Sequence, residues 1–334
     1  MTELATTLGL LAACAVAIYL SCEFFTNGVE WLGRALSLSQ TATGTLLAAF
    51  GTALPETIVT LVAVAFSAGA AAKSIGVGAA LGGPLVLSTI AYSAVGVTFL
   101  LGGVQIARTE AMRAQFRRLS RDQIWFLAIF AAKIGLGVVA FAGKAYLGWL
   151  FLAAYALYAR VELKGTPEEE GEIPAPLRIA PRAARPSLWL ILVQTGAALA
   201  VIFEASRLFV GGLERLSPML GMQPQLAALL LSPIATELPE TLNAVIWVRQ
   251  GKHRLALANI SGAMMIQATV PTACGLIFTP WLLDAPLLAG AAATAVATGA
   301  MAVAFRRGFL SRQLLAATGL IYVAFAVVLV AFRL

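Results

Sequence analysis

Ten apolar stretches recur along the 334-residue chain, and they restrict its possible folds more than any other feature. They lie near residues 4–26, 40–67, 75–104, 123–142, 145–159, 187–210, 222–248, 255–281, 285–305 and 310–332. A helix needs about 20 apolar residues to cross a bilayer, and all but the 145–159 stretch reach or approach that length. Only 12% of residues are charged, about half the fraction of a soluble domain. In lipid every backbone polar group must be paired within the protein, and runs of this length achieve that as helices. The expected fold class is therefore an all-α integral membrane protein with ten transmembrane helices. The first run lacks a basic leader and a small-residue cleavage site, so it reads as a retained helix, not a signal peptide.

The stretch 160–186, RVELKGTPEEEGEIPAPLRIAPRAARP, interrupts the apolar pattern. It is rich in Pro, Glu and Arg and reads as a linker with no packed core. It divides the chain into a five-helix unit (1–159), the linker (160–186) and a second five-helix unit (187–334). The net charge of +7 would point to nucleic acid in a soluble protein, but here its distribution sets orientation. With ten helices, 17 Lys and Arg residues fall on the side that holds the linker and 4 on the opposite side. The positive-inside rule then puts the linker in the cytoplasm and both termini outside, in a cytoplasmic (inner) membrane.

The two halves repeat each other. Residues 51–57 read GTALPET and residues 235–241 read ATELPET. Glu56 and Glu240 stand 184 positions apart, and Thr52, Leu54, Pro55 and Thr57 align at the same offset with Thr236, Leu238, Pro239 and Thr241. The motifs fall on the second and seventh helices. The seventh helix comes five after the second, an odd step, so the halves run through the membrane in opposite senses. This is the pattern of two inverted five-helix repeats, which in secondary transporters place a site near the bilayer midplane.

The motif suits cation chemistry. A proline in a helix removes one backbone hydrogen bond, which frees a carbonyl four residues back. In lipid such a carbonyl is tolerated where it lines a cavity or meets an ion. Glu56 follows the proline, with Thr52 one turn away. The second copy carries Thr236, Glu237 and Glu240, and the two acids are spaced to share a helix face. Packing of the two kinks is expected to bring Glu56 and Glu240 together. Several ionised carboxylates in a dry site require a cation or a proton to balance them. Carboxylates, hydroxyls and carbonyls are the hard oxygen ligands of Ca²⁺.

The paired GTALPET and ATELPET resemble the alpha-repeats of the cation/calcium antiporter superfamily, whose motif is G-(T/S)-S-x-P-E. The resemblance covers nearly the whole chain. It implies an alternating-access antiporter exchanging Ca²⁺ against Na⁺ or H⁺, with Glu56 and Glu240 as central cation ligands, Glu237 auxiliary, and oxygen from Thr52 and Thr236. The following helix of the second repeat, LANISGAMMIQ (257–267), fits the family frame G-N-x-x-G-S-N-x-x-N/D, and places Gln267 at a ligand position. In the first repeat, VGAALGGPLVL (77–87), Ala79, Gly83 and Leu87 replace the polar residues of that frame. The motif serine is likewise replaced, by Ala53 and by Glu237. The site is expected to be acidic and poor in neutral oxygens, which favours proton coupling or an unusual cation. The expected partners are inorganic cations and the lipid bilayer, for a monomer with no cofactor and no nucleic acid. The alternative is a cation channel, or a scaffold that keeps the exchanger fold without transport. No nucleotide loop or nucleophile–base pair points to an enzyme.

Other polar residues have plainer readings. Glu23 reads equally as a pathway residue or a solvated acid, and Glu204 with Arg207 as an ion pair within one helix. Lys133 is expected to snorkel or to pair with an acid. Asn243 reads as an orienting or packing residue, and His253 as a solvated loop residue. Glu168–Glu170 read as a solvated charge run. Cys14, Cys22 and Cys274 read as small apolar packing residues. Gly78 and Gly82 mark close helix packing.

Overall fold

A computed structural model describes residues 2–35, 47–103, 110–164, 175–308 and 310–331; for residues 2, 47–52, 111, 162–164 and 239 it describes the backbone only. Among the described residues the protein is all-helical, with no strand. The α-helices are α1 (Thr2–Ala35), α2 (Leu47–Leu61), α3 (Ala70–Val86), α4 (Tyr92–Leu101), α5 (Glu110–Gly137), α6 (Gly148–Lys164), α7 (Leu188–Met219), α8 (Pro224–Thr236), α9 (Leu238–Arg249), α10 (His253–Phe278), α11 (Ala285–Arg306) and α12 (Arg312–Ala331). A π-turn at Val62–Phe66 extends α2, and another at Leu87–Ala91 joins α3 and α4 into one rod. Six of the described helical rods are long and apolar enough to cross a membrane. Their outward faces carry large apolar residues such as Leu8 and Leu20 on α1, Leu208 on α7, and Leu320 and Val330 on α12, a surface suited to lipid.

The packing follows a regular scheme across the two halves of the chain. α1 lies along α7, α3 against α8, α5 against α11, α2 against α10, and α4 against α12, while α6 rests on α10. Close contact between α3 and α8 depends on glycine. A Cβ on Gly78 would lie 2.1 Å from the carbonyl oxygen of Gln225, and one on Gly82 would lie 2.6 Å from that of Leu229. The small-residue spacing read from the sequence thus serves backbone approach.

Several sequence expectations change. The arginine-rich stretch Arg113–Arg121, which falls between the apolar stretches 75–104 and 123–142, is helical: it forms the first turns of α5, because an amphipathic helix can extend past the apolar window that hydropathy detects. His253 is not a solvated loop residue: it opens α10 and meets the Phe99 ring edge-on at 4.8 Å. The linker is not wholly unpacked. Residues 175–186 dock on α1 and α7, where Leu177 is fully buried against Trp31 and Ile191. Asn27 Nδ2 and Trp31 Nε1 donate to the Ala175 carbonyl at 3.0 and 2.9 Å, and the Ile179 amide donates to Gln194 Oε1 at 3.0 Å. Composition indicated that this segment could build no core of its own. It does not need one, since side chains of α1 and α7 satisfy its backbone. Glu168–Glu170 lie outside the described residues.

Candidate functional site

The two copies of the motif adopt different backbones. α2 runs through Pro55 without a break, and its irregular turn comes later, at Val62–Phe66. In the second copy the chain breaks at Glu237, which ends α8 and caps α9, with Pro239 in the first turn of α9. Proline tolerates a helix start, where its missing N–H costs nothing, so the same dipeptide lies inside one element and begins another. Glu240 consequently sits in the first turn of α9, where the helix dipole favours negative charge.

Glu56 and Glu237 are buried and linked through one hydroxyl. Thr236 Oγ1 lies 2.8 Å from Glu56 Oε2, 3.1 Å from Glu237 Oε1 and 3.2 Å from the Ser232 carbonyl oxygen. One hydroxyl proton faces three acceptors and can serve only one of them fully. Glu56 Oε1 and Glu237 Oε2 receive no hydrogen bond. Thr60 faces Glu56 and Gln267 faces Glu237, each close enough to interact with the carboxylate yet outside hydrogen-bonding geometry. Gly83 makes room for Gln267: a Cβ there would lie 2.9 Å from Gln267 Oε1. Two carboxylates, two hydroxyls and an amide, with buried oxygens that accept no bond, form a donor set suited to a hard cation or a shared proton.

Glu240 faces elsewhere. Together with Pro55, Asn243, Cys22, Glu23 and Arg178 it lines a cavity of about 590 Å³ beside α1, under the docked 175–186 segment. Neither Glu56 nor Glu237 lines it. Among the described residues, no three acidic, histidine or cysteine side chains converge on one point. The sequence expectation paired Glu56 with Glu240; the described contacts join Glu56 to Glu237 through Thr236, and Glu240 lines the cavity. Helix rotation at the Glu237 break sends residues 237 and 240 to different surroundings. Thr236 and Gln267 sit beside the paired acids as expected, while the Thr52 side chain lies outside the described residues. Glu23 lines the cavity and, unlike a free solvated acid, pairs with Arg178 at 2.9 Å. The Glu204–Arg207 ion pair forms at 3.3 Å. Cys14, Cys22 and Cys274 are free thiols.

Sequence reasoning left Lys133 either to snorkel or to pair with an unnamed acid, and named no role for Thr60. The structure puts Lys133 fully buried, within electrostatic reach of Glu56. A lysine inside an apolar helix is a signal for such a partner, but it does not say which acid.

This fold and this buried acidic site define a multi-pass membrane protein of the cation-exchanger class. The chain matches the family described as sodium/calcium exchanger protein over residues 6–163 and 190–334, and it belongs to that family. It is 26% identical over 285 residues to the candidate antiporter CaxA of Alkalimonas amylolytica, covering 84% of this chain and 83% of that protein. It is 24% identical over 283 residues to the inner membrane protein YrbG of Escherichia coli (strain K12), covering 84% and 82%. Its fold is shared with the crystal structure of the H⁺/Ca²⁺ exchanger CAX (TM-score 0.74, 18% identity, 97% of this chain and 82% of that one). It is shared also with the sodium–calcium exchanger NCX_Mj (TM-score 0.60, 17% identity, 98% and 100%).

Proposed function

We propose that this protein is a secondary active antiporter that moves Ca²⁺ against Na⁺ or H⁺ by alternating access at the buried carboxylate site. The observation that carries the reading is the Glu56–Thr236–Glu237 contact, which joins the two copies of the motif and leaves carboxylate oxygens open to a cation. Glu240, on the wall of the adjoining cavity, is the acid that meets cargo on its way to or from that pair. Membership of the sodium/calcium exchanger family supports exchange, and the fold shared with an H⁺/Ca²⁺ exchanger supports both coupling ions as candidates.

The architecture proposed with this function is ten transmembrane helices in two inverted five-helix repeats, 1–159 and 187–334, with 160–186 cytoplasmic and both termini outside. The reciprocal pairing of α2 with α10 and α3 with α8, and of α6 with α10 and α4 with α12, supports the repeat. The Lys and Arg asymmetry supports the orientation.

The test is ⁴⁵Ca²⁺ uptake into everted membrane vesicles under an imposed Na⁺ or pH gradient. Uptake is expected with one gradient or both, and is expected to be lost in Glu56→Gln, Glu237→Gln and Glu240→Gln. Uptake that survives all three substitutions would refute the site. Flux without any counter-ion gradient would instead favour a channel.

A further inference from the structure

The outward faces of α5 and α11 change character at the same level. α5 opens with Glu110 and then carries Arg113, Arg117, Arg118 and Arg121. Arg113, Arg117 and Arg121 are exposed and recur every four residues, so they share one face of the helix. That face continues into Ile124 and Ala128, which are exposed and apolar. α11 has the same profile in reverse. Val296 and Val303 are exposed along it, and the helix ends at exposed Arg306.

The two faces belong to one surface. Phe116 stacks on Phe305 with ring centres 5.8 Å apart, and Ser120 Oγ donates to the Ala302 carbonyl at 3.4 Å. As one number rises the other falls, so α5 and α11 are antiparallel, with residue 116 level with 305. In two antiparallel right-handed helices, the residue after each contact turns to the same side of the pair. Arg117 and Arg306 therefore stand side by side, and Arg113 lies one turn further out on that side. Among the described residues no acid forms an ion pair with these three. Arg121 lies one turn deeper, 3.6 Å from the Asp122 carboxylate. Below Arg306 the same stripe of α11 continues through Gly299 and Ala295. A Cβ on Gly299 would meet no atom within 4 Å, so a groove opens there beside Ile124.

Three guanidinium groups from two helices thus crown an apolar groove that faces lipid. The planar guanidinium fork matches phosphate oxygens in pairs. Basic residues at the membrane end of adjoining helices are placed to meet lipid phosphates. A free phosphate would use the arginines and leave the groove empty. A molecule with an anionic phosphate head and acyl tails uses both. We propose that the outer groove between α5 and α11 binds one anionic phospholipid. Arg113, Arg117 and Arg306 hold its phosphate, and its acyl chains run past Ile124 and Gly299. The lipid bridges the first half of the chain to the second.

The test is native mass spectrometry of the full-length protein in detergent, titrated with phosphatidylglycerol or with phosphatidylcholine of the same acyl chains. A basic residue near an anionic lipid contributes about fivefold in affinity, so the wild type is expected to prefer phosphatidylglycerol by at least about tenfold. The triple variant Arg113→Gln, Arg117→Gln, Arg306→Gln is expected to lose that preference. A charge-matched control, Arg249→Gln, Lys252→Gln, Arg254→Gln, removes three cations from another turn and is expected to keep it. No preference in the wild type would overturn the proposal. So would equal losses in the two variants, which would reduce it to general surface charge. Displacement of the lipid by excess inorganic phosphate would overturn it as well, since the arginines would then serve a free anion. Photolabelling needs no variant to fold: phosphatidylglycerol with a diazirine in its acyl chain is expected to label residues 124–128 and 295–299 of the wild type. Label spread evenly over the outward faces of α1 and α12 would overturn the assignment.

Discussion

Replacing Thr236 with valine tests the centre of the site with the least change of shape. The substitution removes the hydroxyl that touches Glu56 Oε2 at 2.8 Å and Glu237 Oε1 at 3.1 Å. Because that hydroxyl carries one proton, a single charge-assisted hydrogen bond is lost, although two contacts are broken. Such a bond contributes roughly 1.5–3 kcal/mol, and the carboxylate left behind is buried. If the site is organised by this hydroxyl, divalent-cation affinity should fall by that amount, roughly 10- to 150-fold at 1.4 kcal/mol per decade. Thr236→Ser keeps the hydroxyl and should stay within about threefold of the wild type. The assay is ⁴⁵Ca²⁺ binding to the purified protein in nanodiscs, with thermal unfolding of each variant as a control. Wild-type affinity in a folded Thr236→Val protein would refute the reasoning, because it would mean that the Glu56–Glu237 link has no part in holding the cation.

Three further outcomes follow from the packing. Gly78→Ala should destabilise by about 1–3 kcal/mol in detergent-solubilised thermal unfolding, since its Cβ would meet the Gln225 backbone at 2.1 Å; Gly262→Ala, with no atom near the new Cβ, should be neutral or up to about 1 kcal/mol stabilising. Leu177→Ala should release the docked segment, removing roughly 2–5 kcal/mol of local packing, and limited proteolysis should then cut within residues 175–186 much faster than in the wild type. Arg178→Ala removes a half-exposed ion pair with Glu23 and an exposed contact over the Phe24 ring, so the same proteolysis rate should rise by less than about fivefold, the equivalent of ~1 kcal/mol.

Much of this protein is written in local pattern. Long apolar runs need no partner to declare themselves as membrane helices, because lipid rewards any helix that hides its own backbone. The Glu204–Arg207 pair and the close approach at Gly78 and Gly82 follow from helical spacing, and the structure has both. The repeated LPET pointed to the region where Glu56, Thr236 and Glu237 come together, and the family match shows the class. Local pattern misjudged places where a second element completes what the first leaves open. Residues 175–186 have no apolar periodicity, yet Asn27, Trp31 and Gln194 order them from neighbouring helices. Arg113–Arg121 look like a loop because charge interrupts the apolar run, although charge does not interrupt a helix.

The same division runs through the site. The sequence by itself supplied candidate cation ligands, since it sets carboxylate, hydroxyl and amide at fixed spacing on apolar helices. Only the tertiary structure decided which of them meet. Identical L-P-E-T segments bend differently, so Glu237 turns to Glu56 while Glu240 turns to the cavity. Only the fold brought Lys133 to the Ala80 carbonyl, across 53 residues of chain. Spacing along one helix is set by covalent geometry, whereas contact between helices depends on their rotation and depth, which are settled by the packing of the whole bundle.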